Sequence, residues 1–109
     1  MTTVKLVRFK FKPDAKQIWI DWSEELKRRK EEVIETLKNE GVVSESCFIS
    51  RDGEEVFYFM EAEDFEKAKN AVAEHPHPID KDHKTARESS LEFVERMSPL
   101  FHFENRSTL

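Results

Sequence analysis

The run Val56-Phe57-Tyr58-Phe59-Met60 constrains the fold more than any other part of the chain. Consecutive aromatic and large apolar residues of this kind read as a β-strand, over Val56 to Ala62. Successive side chains of a strand point to opposite faces, so Val56, Tyr58 and Met60 face one way and Phe57 and Phe59 the other. Both faces are apolar, and both need cover. Such a strand belongs at the centre of a sheet.

The flanking segments supply that sheet. Val4 to Phe11 is a first strand, with Val4 and Leu6 on one side and Val7, Phe9 and Phe11 on the other. Asp14 and Gln17 have capping-box spacing, and a long helix is expected from there to about Asn39. Its stripe is Trp19, Trp22, Leu26, Val33 and Leu37, and Gly41 follows as a natural left-handed stop. Val42 to Ser50 is a second strand, at the edge of the sheet. Arg51-Asp52-Gly53-Glu54 fits a type I′ hairpin turn. Asp64 caps a second helix with Phe65, Ala68, Ala71 and Val72 inward. The prolines of His75-Pro76-His77-Pro78 interrupt helix. A third helix is expected from Asp80 to Met97, with Ala86, Ser90, Phe93, Val94 and Met97 inward. Pro99 ends it, and Leu100 to Phe103 are expected to form the last strand. The order is that of an α+β, ferredoxin-like βαββαβ fold, with strands one and three central in an antiparallel sheet. The 109 residues fit a single domain, 1–109.

Helices can cover only one face of such a sheet. Phe57 and Phe59 on the other would leave an apolar patch larger than soluble monomers tolerate. A second copy packed sheet to sheet covers it, so a homodimer, a dimeric α/β-barrel, is expected. The competing arrangement lays the third helix across the open face.

Charge narrows the function classes. The net charge is −5 and the pI about 5.4, which argues against a nucleic-acid partner. Lys27-Arg28-Arg29-Lys30 lies among Glu24, Glu25, Glu31 and Glu32, at helical pairing distances. The single cysteine, Cys47, has no internal disulfide partner and reads as an inert buried thiol, consistent with a reducing, cytoplasmic setting. No apolar run approaches the roughly 18 residues of a membrane span, so no membrane partner is expected. The chain holds 2 glycines, too few for phosphate-cradling or dinucleotide loops, and zinc-type spacing is absent; no cofactor and no metal are expected.

The chemistry-bearing residues gather in His75-Pro76-His77-Pro78-Ile79-Asp80-Lys81-Asp82-His83. With Asp80 as helix N-cap, His83 falls one turn on, where an aspartate can orient an imidazole for acid–base work. His77, His83 and Asp80 are the candidate catalytic residues. The same residues also serve as a turn and a cap. Convergence of His75, His77, Asp80 and His83 on an ion is a weaker reading. Glu45, a carboxylate on an apolar strand face, is either a perturbed functional group or an edge-strand charge. Tyr58 is able to place its hydroxyl between sheet and helices, and Trp22 to line the same cleft. These three are the candidate ligand-binding residues. An enzyme performing acid–base isomerisation on a small organic ligand and a non-enzymatic interaction or regulatory module acting through its dimer surface both fit.

Asp14 to Gly41 with Trp22 and Leu26, Glu45-Ser46, Tyr58-Phe59-Met60-Glu61-Ala62-Glu63-Asp64, and His77-Pro78-Ile79-Asp80 with His83 together resemble a family of small uncharacterised microbial proteins. That family is placed among the dimeric α/β-barrel, ferredoxin-like proteins. The likeness runs to about Ser90, and Pro99 to Leu109 departs from it. It implies the fold and the homodimer but no activity. The wider fold group includes sugar mutarotases, cofactor-free or haem-using monooxygenases and ligand-binding stress proteins, a likeness of fold alone.

Overall fold

Strand pairing follows from the doubly apolar segment. The computed structural model describes residues 1–106. The end of the tail beyond Pro99, residues 107–109, lies outside the described residues. Along the chain run β1 (Thr3–Phe11), α1 (Lys16–Arg28), α2 (Lys30–Glu40), β2 (Val42–Ile49), β3 (Glu55–Ala62), α3 (Phe65–Glu74), α4 (Pro78–Ser90) and β4 (Leu91–Met97). The sheet order is β2-β3-β1-β4, with every neighbouring pair antiparallel. This is the expected ferredoxin-like α+β arrangement, with β1 and β3 central and β2 at an edge. All four helices lie on one face of the sheet, α1 packed against α4 and α2 against α3.

The core sits between sheet and helices. Trp19, Val56, Tyr58, Ala86 and Leu91 form its main cluster, flanked by Phe9, Phe11, Trp22 and Met60. A smaller cluster of Val42, Ala62 and Ala68 lies under α3. Asp64 caps α3 as expected, its Oδ1 accepting from the backbone N–H groups of Glu66 and Lys67.

Several boundaries differ from expectation. The long first helix is two helices meeting at Arg29, whose backbone leaves the helical region (φ −103°, ψ 33°). There Arg29 reaches out of the helix to Asp82 of α4 at 2.9 Å and to Glu32 at 2.7 Å. The spacing of seven between Leu26 and Val33 conceals this elbow, because one turn carries no apolar residue to reveal a change of direction. Asp14 does not cap α1; it takes a left-handed conformation (φ 58°), and Gln17 instead donates to Asp21.

The third helix stops at Ser90, whose hydroxyl donates back to the Ala86 carbonyl. Leu91 to Met97, expected as helix, is β4, and Leu100 to Phe103 is not a strand. Phe93 and Met97, four apart, suit a helix, whereas Leu91 and Phe93, two apart, suit a strand. Pairing with Phe11 and Phe9 of β1 decides for the strand, as tertiary partners override local periodicity. The β2–β3 turn is not type I′, since only Gly53 (φ 76°) has positive φ there. Asp52 Oδ1 instead accepts from the Glu54 N–H and the Ser50 hydroxyl, an Asx-type closure. Cys47 is exposed on edge strand β2, not buried.

The other face of the sheet carries half-buried Val4, Leu6, Phe57, Phe59 and Met97 and Phe48, 58% exposed. Helix α4 does not cross it. The C-terminal tail folds back to one end of it, where Arg106 grips both oxygens of Glu61 at 2.5 and 2.6 Å. Phe101 and Phe103 stack on each other, ring centroids 5.2 Å apart, and both are exposed.

Candidate functional site

A cleft of about 290 Å³ opens between the helix-side face of the sheet and the helices. Val7, Leu37, Met60, Val72 and Ile79 give it apolar walls, and Lys5, Glu40, Glu45, Tyr58, Asp80, His83 and Arg87 bring polar groups to it. A groove of about 660 Å³ between β2 and the α1–α2 elbow shares Leu26, Val33, Leu37, Glu45 and Tyr58 with it.

Four residues from four elements form one hydrogen-bonded chain in its wall. Trp22, one turn beyond Trp19 on α1, donates its indole N–H to His83 Nδ1 at 2.8 Å. His83 Nε2 lies 3.0 Å from the Tyr58 hydroxyl, and that hydroxyl donates to Glu45 Oε1. Tyr58 on β3 and Glu45 on β2 are diagonal neighbours on the same sheet face, since Tyr58 pairs with Cys47 and Glu45 with Met60.

The direction of this chain follows from Trp22. An indole N–H can only donate, so His83 Nδ1 accepts and carries no proton. Neutral His83 then bears its proton on Nε2 and donates to Tyr58, leaving the tyrosine proton for Glu45. Burial holds His83 in that state by lowering its pKa to about 4, with Arg87 adding to the effect. Rings of Trp19, Trp22 and Tyr58 lie 5.7, 6.0 and 5.8 Å from the imidazole, which keeps water away. Burial, then the Glu45 charge, raises Tyr58 well above its ordinary value. Burial raises Glu45 as well, against the opposing hydrogen bond from Tyr58 and the charge of Lys5.

Asp80 lines the cleft without bonding to His83. Its Oδ1 accepts from Thr36 of α2 at 2.6 Å and its Oδ2 from the His77 backbone N–H at 2.8 Å. The helix N-cap is His77 and Asp80 is the third helical residue, so the carboxylate reaches back as in the second half of a capping box. His77 stands at that corner with Nδ1 3.8 Å from Asp80 Oδ2, and it is not among the residues lining the cleft. The structure therefore joins His83, Tyr58, Glu45 and Trp22, and places Asp80 and His77 together at the start of α4. His75, His77, Asp80 and His83 do not gather as ion ligands. Among the described residues the one such group is Glu61, His102 and Glu104, where Arg106 pairs with both glutamates.

Sequence reasoning missed Glu40, Lys5 and Arg87. Glu40 closes α2 at the cleft, where burial and the charges of Glu45 and Asp80 raise its pKa to about 7. Two signals could have found the cations: Lys5 shares a strand face with Val7 and Phe9, and Arg87 is four residues beyond His83 on one helix face.

A four-stranded antiparallel sheet with helices on one face and a polar chain buried beneath them defines a ferredoxin-like α+β protein with an internal cleft. The chain belongs to the family of unknown function DUF6176, whose model matches residues 2–107. Solved structures share the fold. A Bacteroides thetaiotaomicron protein grouped with antibiotic biosynthesis monooxygenases is 18% identical, with TM-score 0.65, over 97% of this chain and 96% of its own. Rv0793 from Mycobacterium tuberculosis is 17% identical, with TM-score 0.57, over 95% of this chain and 100% of its own. SnoaB, a cofactor-independent oxygenase from Streptomyces nogalater, is 17% identical, with TM-score 0.53, over 99% of this chain and 96% of its own. No curated protein matches the sequence. No helix among the described residues is long and apolar enough to cross a membrane.

Proposed function

We propose that this protein binds a small organic molecule in the cleft between sheet and helices and shifts a proton on it by acid–base chemistry. The observation that carries the reading is the buried chain Trp22–His83–Tyr58–Glu45. Aligned, water-poor chains of this kind are costly to build and suit proton handling. Both nitrogens of His83 are engaged, so His83 reaches a ligand through Tyr58 and acts as a positioning residue. Glu45 Oε1 is taken by Tyr58, while Oε2 has no hydrogen-bond partner among the described residues; with its raised pKa, Glu45 is the group that exchanges a proton with the ligand. Taking a proton from carbon beside a carbonyl and returning it elsewhere needs no oxidant or reductant. Asp80 and His77 hold the N-terminal end of α4, and hence His83, in place. That SnoaB is a cofactor-independent oxygenase agrees with cofactor-free chemistry being possible on this fold.

The protein works as a homodimer in this reading. Its second sheet face is apolar, and the exposed Phe101 and Phe103 lie beside it. Burying even three or four such rings gains several kcal/mol, at about 1.5–3 kcal/mol each.

The test is a ligand-observed NMR screen of small carbonyl compounds, followed by incubation of the hits in D2O. Bound compounds should take up deuterium beside the carbonyl with wild-type protein and not with Glu45→Gln. Tyr58→Phe should slow the exchange by about 100-fold. Binding without exchange would leave a binding protein, and exchange undiminished in Glu45→Gln would remove Glu45 from its role.

A further inference from the structure

We propose that the ligand of the cleft is an organic anion, an apolar body bearing a carboxylate, whose charge is met by Lys5 and Arg87. This rests on the reading of the cleft as a ligand site and adds the chemical class of its occupant. Lys5 and Arg87 both line the cleft. Neither forms an ion pair or a side-chain hydrogen bond among the described residues. Four other arginines are paired, Arg8 with Glu55, Arg28 with Glu25, Arg29 with Glu32 and Asp82, and Arg106 with Glu61, while Arg51 and Arg96, like Arg87, have no ion pair among the described residues.

The charges of Lys5 and Arg87 act on Glu45, but no carboxyl group of the cleft forms an ion pair or hydrogen bond with either cation among the described residues. Glu45 accepts from Tyr58, and Asp80 from the Thr36 hydroxyl at 2.6 Å and from the His77 backbone, while Glu40 lies 3.5 Å from the same hydroxyl. Burial raises Glu45, and with the charges of Glu45 and Asp80 it raises Glu40 to about 7, which disfavours the ionised forms of both carboxyl groups beside Lys5 and Arg87. Lys5 Nζ rests 4.6 Å from the centroid of the Phe65 ring, and Arg96 covers the same ring at 5.9 Å. The aromatic face holds these cations without neutralising them. Burial, and then the repulsion of Arg96 and Arg87, lowers the pKa of Lys5, against the attraction of Glu45. Like charges assembled beside apolar walls are unfavourable alone and favourable around an anion. The walls of Val7, Leu37, Met60 and Val72 take the apolar body.

Isothermal titration of the wild-type protein with 2-naphthoate and with its uncharged isostere 2-naphthamide tests the inference. The acid should bind at least about tenfold more tightly than the amide, the yield of one charge-assisted contact. Lys5→Met/Arg87→Met should bring the acid to the affinity of the amide and leave the amide unchanged. Equal affinities in the wild type would overturn the anion while leaving the cleft a ligand site. A preference that persists in the double variant would overturn the assignment to Lys5 and Arg87. If neither probe binds, the ligand-site reading fails and the inference falls with it. The acid–amide comparison needs no variant, so it holds even if the double variant does not fold.

Discussion

At the scale of single residues, Trp22 fixes the tautomer of His83 by donating to its Nδ1. The Nε2–H tautomer should persist from pH 8 to pH 5 in nitrogen-detected NMR of His83, with a titration midpoint near 4. Trp22→Phe should free the tautomer and move that midpoint. The lowered pKa also makes a stability statement. Between the unfolded value of 6.5 and the native value of about 4, the unfolded chain binds a proton that the native chain refuses. The contribution of neutral His83 is therefore present above pH 6.5 and lost as pH falls through 4. Glu40 has the opposite sign. Its value rises from 4.5 to about 7, so its contribution is present below pH 4.5 and lost as pH climbs through 7. Glu40→Gln should thus gain melting temperature on wild type at pH 8 and gain less at pH 5, measured by thermal denaturation. Tyr58→Phe, which strips a partner from both Glu45 and His83, should cost about 1–3 kcal/mol in urea denaturation. Glu45 was visible in the sequence as a carboxylate on an apolar strand face, while Trp22 and Tyr58 suited a core as well as a cleft. Their union was not, because it depends on β2 and β3 pairing in one particular register and on α1 and α4 lying side by side.

At the scale of elements, the informative cases are those where two local patterns coincide. Strand β3 was legible because no helix or loop reading accommodates Val56 to Met60. Helix α3 was legible from Asp64. Leu91 to Met97 was not, since its apolar residues suit a helix as well as a strand, and β1 supplies the deciding partners. The elbow at Arg29 has no proline or glycine to announce it; there Arg29 pairs with Asp82 of α4 and Glu32 of α2, contacts that a linear reading cannot bring together. Asp80 was assigned the right neighbourhood and a different task. It joins α2 to the first turn of α4, and Asp80→Ala should cost about 1–2 kcal/mol, the sum of a lost cap and a lost side-chain bond. Asp80→Asn should recover part of that loss. Equal stability of wild type and Asp80→Ala in chemical denaturation would show that the Thr36 bond and the cap contribute nothing.

At the scale of the whole molecule, the sheet divides two tasks between its faces. One face carries the cleft and its hydrogen-bonded chain, and the other carries apolar side chains that, among the described residues, the tail approaches at one end. Phe59→Glu, on the open face and away from the cleft, should convert a dimer of 13.0 kDa chains into a monomer in sedimentation velocity, with helical content unchanged. A wild-type protein that sediments as a single chain at micromolar concentration would contradict the pairing. Every functional conclusion depends on the cleft under α2 and α4 accepting a molecule. Crystals soaked with a library of small organic acids and carbonyl compounds test it most directly. Density is expected inside the cleft, with a polar atom against Glu45 or Tyr58 and the bond from Trp22 to His83 intact. Density only at other surfaces, with Val7, Leu37 and Met60 closed on one another, would contradict it.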